Sequence, residues 1–232
     1  TGATLAAMRE EVRGDVAYLK ACGARQVFVM VEDEPSHDMK LSIPNLEAVH
    51  SVGAGNWLAI HDVWRIYDVV PWIDVSVQTG SARADLVELA ARHGAKILTY
   101  ANPHAGNEDY TLYRHNYGLG LWKTGAAGSM DWAYMSGWGD PWVDHDQKRR
   151  DQMHVYPVRD GVIDTVQWEA MREAVDDQRY LTLLEHKIAL TEIEAELSVQ
   201  QQARDAESWL EGLRTQTDLQ AIRREMAEWI SR

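Results

Sequence analysis

Three acidic side chains close an apolar run: Gln26 to Val31 reads QVFVMV, and Glu32-Asp33-Glu34-Pro35 follows at once. Successive residues of a strand point to opposite faces, so Asp33 and Glu34 can serve one site only where the regular strand stops. Pro35 supplies such a break. Two carboxyls at a half-dry rim can divide acid–base work, one protonated and one ionised, because desolvation and like charge both oppose ionising the pair together. A plainer role fits the same residues: Asp33 as cap of the next helix, with Pro35 in its first turn. The residues alone leave both readings open.

Other side chains with chemical potential also follow apolar runs. Tyr100 and Asn102 close KILTY and open the loop ANPHAGNED, and His61 and Asp62 close WLAIHD. In SMDWAYMSGW, strand alternation would put Met130, Trp132 and Tyr134 on one face, with Trp132 as a floor and Trp138 as a wall for a flat ligand. The aromatic usage is lopsided, ten Trp and nine Tyr against one Phe. Trp and Tyr combine an apolar face with a polar edge, which suits sugar rings as well as it suits a core. Asp144, His145, Asp146 and His154 carry metal-ligating atoms without tight ligand spacing, so they read as a solvated loop and no metal is expected. Arg114 reads as a structural ion pair, and Glu169, Arg172, Asp176 and Arg179, three or four apart, as pairing along a helix.

The elements that must position these residues alternate. Leu5 to Ala21 has helical spacing (Leu5, Met8, Val12, Val16, Leu19), and Gly23 ends it. Strands are predicted at 26–31, 57–62, 73–78, 96–100 and 129–135, with helices near 43–52, after Ser81 as cap up to Gly94, at 111–124 and within 162–184. Ile188 to Arg232 is polar and helical, a closing helix pair. Five strand–helix units imply a parallel sheet. The loops EDEPSHD, HDVW, QTG, ANPHAGNEDY and SGWGDPWVDHD then lie at strand C-termini, where a parallel α/β barrel builds its site. No strand is followed by GxGxxG or GxxxxGK[ST], which argues against nucleotide binding.

Composition narrows the partners. Net charge is −13, against the basic face that nucleic-acid binding needs. No apolar run approaches the ~20 residues of a membrane-spanning helix. Cys22 stands alone, so it forms no intrachain disulfide and leaves the compartment open. A secreted or periplasmic setting is favoured among the possibilities, although the chain shows no signal peptide and opens at Thr1 without Met.

Several segments together resemble the catalytic domain of glycoside hydrolase family 123 and its uncharacterised relatives. They are Asp33-Glu34-Pro35 at a strand end, Tyr113 to Tyr134 (YRHNYGLGLWKTGAAGSMDWAY), Gly137 to Trp142 (GWGDPW), and Tyr156 to Leu184 (YPVRDGVIDTVQWEAMREAVDDQRYLTLL). The last is the most specific, with Glu169, Arg172, Asp177, Tyr180 and Leu181 on the pattern; Ala174 departs from it, where relatives often carry Gly. The resemblance implies a (β/α)8 TIM-type barrel with the Asp-Glu pair ending strand four. This chain would then hold strands four to eight of an incomplete barrel in residues 1–187, a helical extension in 188–232, and lack the N-terminal barrel segment.

By the same resemblance the activity is retaining, substrate-assisted hydrolysis of 2-acetamido sugars, β-N-acetylgalactosaminidase-like, without a cofactor. Glu34 would be the general acid and base, and Asp33 would orient the acetamido group. Tyr100, Asn102, Trp132, Tyr134, Trp138, His61 and Asp62 would line an oligosaccharide or glycoconjugate substrate. Two other readings are a glycosidase of different specificity pairing Glu34 with a distant carboxylate such as Asp131 or Glu108, and a non-catalytic carbohydrate-binding or scaffold domain.

Overall fold

Apolar runs bounded by glycine and acidic turns become the five parallel strands of one sheet, ordered β1 (Phe28–Asp33), β2 (Gly55–Ile60), β3 (Val75–Thr79), β4 (Lys96–Tyr100) and β5 (Gly128–Ser129). This computed structural model describes residues 2–147, 150–191, 196–214 and 218–232. The fold is mixed α/β. The sheet is open: β1 and β5 are its edges and do not pair with each other, so these five strands close no barrel. Chain contacts divide into two units, residues 1–104 with 124–132, and 105–123 with 133–232.

In the first unit, one helix precedes β1, the others follow β1, β2 and β3, and they cover one face. They are α1 (Gly2–Ala21), α2 (Ile43–His50), α3 (Ile66–Val69) and α4 (Ala84–Arg92). Leu58, Ile60 and Ile97 meet Leu46, Ile66, Leu86 and Ala90 in the main core. Val12 and Val16 of α1 meet Val27, Val49 and Ala54 in a second one, while Leu19 of the expected stripe is exposed. Gly23 and Gly94, at φ 95° and 76°, stop α1 and α4 in the left-handed conformation that glycine adopts without a Cβ clash.

The register of β1 decides where its acids point. Met30 pairs with Trp57, yet Asp33 pairs with Ala59, so β1 carries one residue more than β2 over that stretch. A one-residue bulge reverses the alternation. Val29 and Val31 pack with the helix-side cores. Unbulged, Asp33 would share their face. With the extra residue it joins Met30 and Ala59 on the face opposite the helices.

Two sequence expectations fail here. The segment 129–135 is not one strand: only Gly128–Ser129 joins the sheet, and β6 (Met135–Ser136) pairs antiparallel with β7 (Gln152–Met153) in the second unit. The segment between them turns, as the Asp131 side chain accepts a hydrogen bond from the Ala101 amide at 2.8 Å. Alternation therefore does not place Met130, Trp132 and Tyr134 on one face. Nor does Ser81 cap α4. The helix starts three residues later, after Arg83, and the Ser81 hydroxyl donates to Asn102 Oδ1 at 3.0 Å.

The second unit is helical, with α5 (Tyr110–Tyr117), α6 (Leu119–Thr124), the long α7 (Val166–Thr191), α8 (Leu197–Glu211) and α9 (Leu219–Ser231). It also holds an unforeseen hairpin of β8 (Val155–Val158) and β9 (Gly161–Asp164), joined by a turn at Arg159-Asp160 whose sequence signal is the Asp160-Gly161 dipeptide. The predicted closing helix pair is α8 and α9, and α7 runs unbroken past residue 187. Ala174 is fully buried, and a Cβ on Gly118 would stand 3.2 Å from it, so small residues set the approach of α5 to α7. Among the described residues no helix is long and apolar enough to cross a membrane.

A buried ion network locks this unit. Arg114, 1% exposed, donates two bonds to Asp177 at 2.7 and 2.9 Å. Asp177 also accepts from Arg223 of α9 at 2.6 Å, and Arg223 reaches Glu173 at 2.5 Å. Arg172 and Arg179 instead form exposed pairs with Glu169 and Asp176. Asp177→Ala strands Arg114 without its counter-ion and is expected to cost about 3–5 kcal/mol of unfolding free energy. Arg172→Ala should leave the urea midpoint almost unmoved. Denaturation of both variants checks the contrast, and comparable losses would remove the buried network from its structural role.

Candidate active site

The C-terminal ends of β1 and β4 meet through one hydrogen bond. The Tyr100 hydroxyl donates to Glu34 Oε1. β1 and β4 are three strand spacings apart, roughly 14 Å in a flat sheet. Side chains standing off such a sheet could not bridge that gap, so the sheet curls towards the face that carries both residues. That is the face opposite the helices. Tyr100 follows Leu98 by two, and Leu98, Val77 and Ala59 lie in register across the strands.

Tyr100 is 7% exposed. Burial lifts its phenol far above the ordinary tyrosine range, the bond to Glu34 and that carboxylate's charge lift it further, and Asp33 adds to the effect; only the Thr79 hydroxyl acts against it. The phenol is therefore a neutral donor at any physiological pH, and its single proton is directed at Glu34.

Asp33 and Glu34 are themselves exposed. Asp33 caps no helix: the turn after β1, Met39–Ser42, is capped by Asp38, which accepts from the Lys40 amide at 3.0 Å. That removes the plainer reading of Asp33. Glu34 sits at φ 43°, in the left-handed region that a side chain adopts only at a cost of about 1–2 kcal/mol. Its amide still donates to the Ala59 carbonyl at 3.0 Å, so the chain turns while tethered to β2. Ala101, the residue after Tyr100, repeats the pattern at φ 52°, its amide held by Asp131. Two left-handed non-glycine residues thus flank the Tyr100–Glu34 bond, the kind of strain that a surrounding structure must hold in place.

Asn102 is 7% exposed and bound to Ser81, so the loop after β3 steadies the loop after β4. Thr79 was not singled out from the sequence, and Ser81 was read only as a helix cap; both stand at the β3 end, where QTG marked a rich loop. Asp62 accepts from the Trp64 amide at 3.4 Å and pairs with Arg65, capping the turn Val63–Arg65, while His61 is exposed beside it. Trp132 lies after β5 with 57% of its surface open. Tyr134 and Trp138 belong to the second unit. There Tyr134 meets Trp168 edge-on at 5.3 Å, and the Trp138 amide donates to Asp151 at 2.6 Å.

The acid-rich loop of that unit is occupied with itself. Asp144 binds Arg150 and the Asp151 amide, Asp146 binds the Asp140 amide, and His154 is buried between Tyr113 and Trp168. Among the described residues no group of three or more His, Cys, Asp or Glu is placed to hold a metal ion.

The chain matches the family described as glycoside hydrolase 123, catalytic domain, over residues 16–184. It belongs to that family, is a glycoside hydrolase domain, and its substrate class is carbohydrate. No curated protein matches it.

The left-handed turn makes a sharp prediction. At an ordinary position alanine is more stable than glycine. At position 34 the order should reverse, with Glu34→Gly more stable than Glu34→Ala by about 1 kcal/mol, since both lose the Tyr100 bond and only glycine escapes the Cβ clash. Denaturant midpoints decide it, and alanine ranking first would place residue 34 outside the left-handed region.

Proposed function

We propose that this family 123 chain is the C-terminal part of a (β/α)8 barrel, strands four to eight in residues 1–187 with a helical extension in 188–232, and that it cleaves β-linked 2-acetamido sugars with retention. The single observation carrying the reading is the Tyr100–Glu34 bond across the curled sheet, with Asp33 brought to the same face by the bulge. The curl supports a barrel. The placement supports two neighbouring carboxylates acting at the C-terminal rim, where barrel enzymes do chemistry.

In the first step the Glu34 carboxyl gives its proton to the glycosidic oxygen as the C1–O bond breaks. The substrate's own acetamido carbonyl oxygen attacks C1, forming an oxazolinium ring. Asp33 accepts the acetamido N–H and offsets the positive charge. In the second step Glu34 takes a proton from water, whose oxygen opens the ring at C1 and restores the original anomer. The nucleophile belongs to the substrate, so the reaction departs from the usual two-carboxylate geometries and needs no cofactor. Tyr100 orients Glu34, and Asn102, Trp132, His61 and Asp62 are the remaining candidates for sugar contact within the same unit. A β-N-acetylgalactosaminide is the substrate proposed. Asp131 is a poor partner for Glu34 in the alternative two-carboxylate scheme, because its carboxylate already holds the Ala101 amide.

In the complete protein, Glu34→Gln and Asp33→Asn should each lower turnover by about 10²–10⁴-fold. Glu34→Gln should be milder on the first step of an aryl glycoside with a good leaving group, which needs little protonation. Asp33→Asn should not be spared by any leaving group. Replacing the acetamido group of the substrate with hydroxyl should abolish turnover beyond what lost binding explains. Equal cleavage of the hydroxyl sugar would exclude substrate assistance.

A further inference from the structure

On the rim that carries the carboxylates, the loops after β2 and β3 build an aromatic surface. Trp64 is 53% exposed and Tyr67 51%. Their rings lie within 17° of parallel with centroids 6.1 Å apart, a stacked aromatic pair with about half of each side chain in solvent. The surface is held in place. The Arg83 guanidinium stands 4.3 Å from the Trp64 ring centre, and Arg83 is fixed by two bonds to Asp85, at 3.0 and 2.6 Å. One face of the indole is taken by the cation, yet half of its surface remains in solvent. An exposed tryptophan clamped in one orientation has already lost the freedom that binding would remove.

The surface is tied to the reaction centre. Arg65, the residue after Trp64, donates to the carbonyls of Ser36 and His37, directly beyond Glu34-Pro35. An exposed aromatic pair beside a guanidinium and a carboxylate suits a pyranose, whose C–H face stacks and whose hydroxyls bond at the edge.

We propose, resting on the hydrolase reading above, that Trp64 and Tyr67 form a binding platform for a sugar ring on the leaving-group side of the scissile bond. The enzyme then selects extended glycans over simple glycosides. Two substrates separate this from the reading it rests on. N-acetyl-β-galactosaminyl fluoride has a single-atom leaving group that cannot reach the platform, whereas N-acetyl-β-galactosaminyl-galactose places a ring there. In the complete protein, Trp64→Ala should lower the ratio of kcat/KM for the disaccharide to that for the fluoride by about ten-fold, mostly through KM of the disaccharide, as loss of a stacking aromatic would. Trp64→Phe should restore most of the ratio. An unchanged ratio in Trp64→Ala overturns the platform, as does an equal fall on both substrates, which marks a structural role. Hydrolysis of neither substrate by the wild-type protein overturns the proposed specificity for β-N-acetylgalactosaminides, and the platform with it.

Discussion

The hydrogen bond from Tyr100 to Glu34 sets a geometric condition that the rest of the first unit must meet. It joins the ends of two strands separated by two others, so the sheet between them has to curl, and the helices have to cover the convex side. The core of Leu58, Ile60 and Ile97 against Leu46, Leu86 and Ala90 does that covering. Burial of Tyr100 raises its phenol above the ordinary tyrosine range, so the bond keeps its donor well beyond the pH at which a free phenol would ionise.

Two backbone irregularities convert an apolar strand into a platform for acids. The bulge between Met30 and Asp33 moves Asp33 off the helix face, and the left-handed turn at Glu34 ends the strand while keeping its amide on Ala59. Neither feature improves the fold by itself. Both are stabilised by neighbours, β2 through the ladder and β4 through Tyr100, while Asp131 holds the separate left-handed turn at Ala101. Asp131 thus acts through backbone geometry.

Much of this was legible in the sequence, for identifiable reasons. The first four strand segments, the stops at Gly23 and Gly94 and the two helices α8 and α9 follow from local patterns of apolar spacing and glycine, which tertiary contacts did not override. KILTY is β4 residue for residue. The failures are tertiary. Alternation in 129–135 looked like a strand because it spans the end of β5 and the whole turn before β6, two elements that belong to different units. Ser81 looked like a cap because it precedes a helical stretch, but Asn102 competes successfully for its hydroxyl. The bulge left no mark in QVFVMVEDE, since its register is set by β2. Arg223, which completes the buried network around Asp177, lies 46 residues from its partner in an otherwise ordinary charged helix.

The account turns on one claim, that adjacent carboxylates at the end of β1 act with a nucleophile supplied by the substrate. The stereochemistry of hydrolysis tests it most directly. Proton NMR of the first-formed sugar released from an aryl 2-acetamido-2-deoxy-β-glycoside, followed before mutarotation, should show the β-anomer. First appearance of the α-anomer would mean direct attack by water on the opposite face, activated by a distant carboxylate, and would contradict the account.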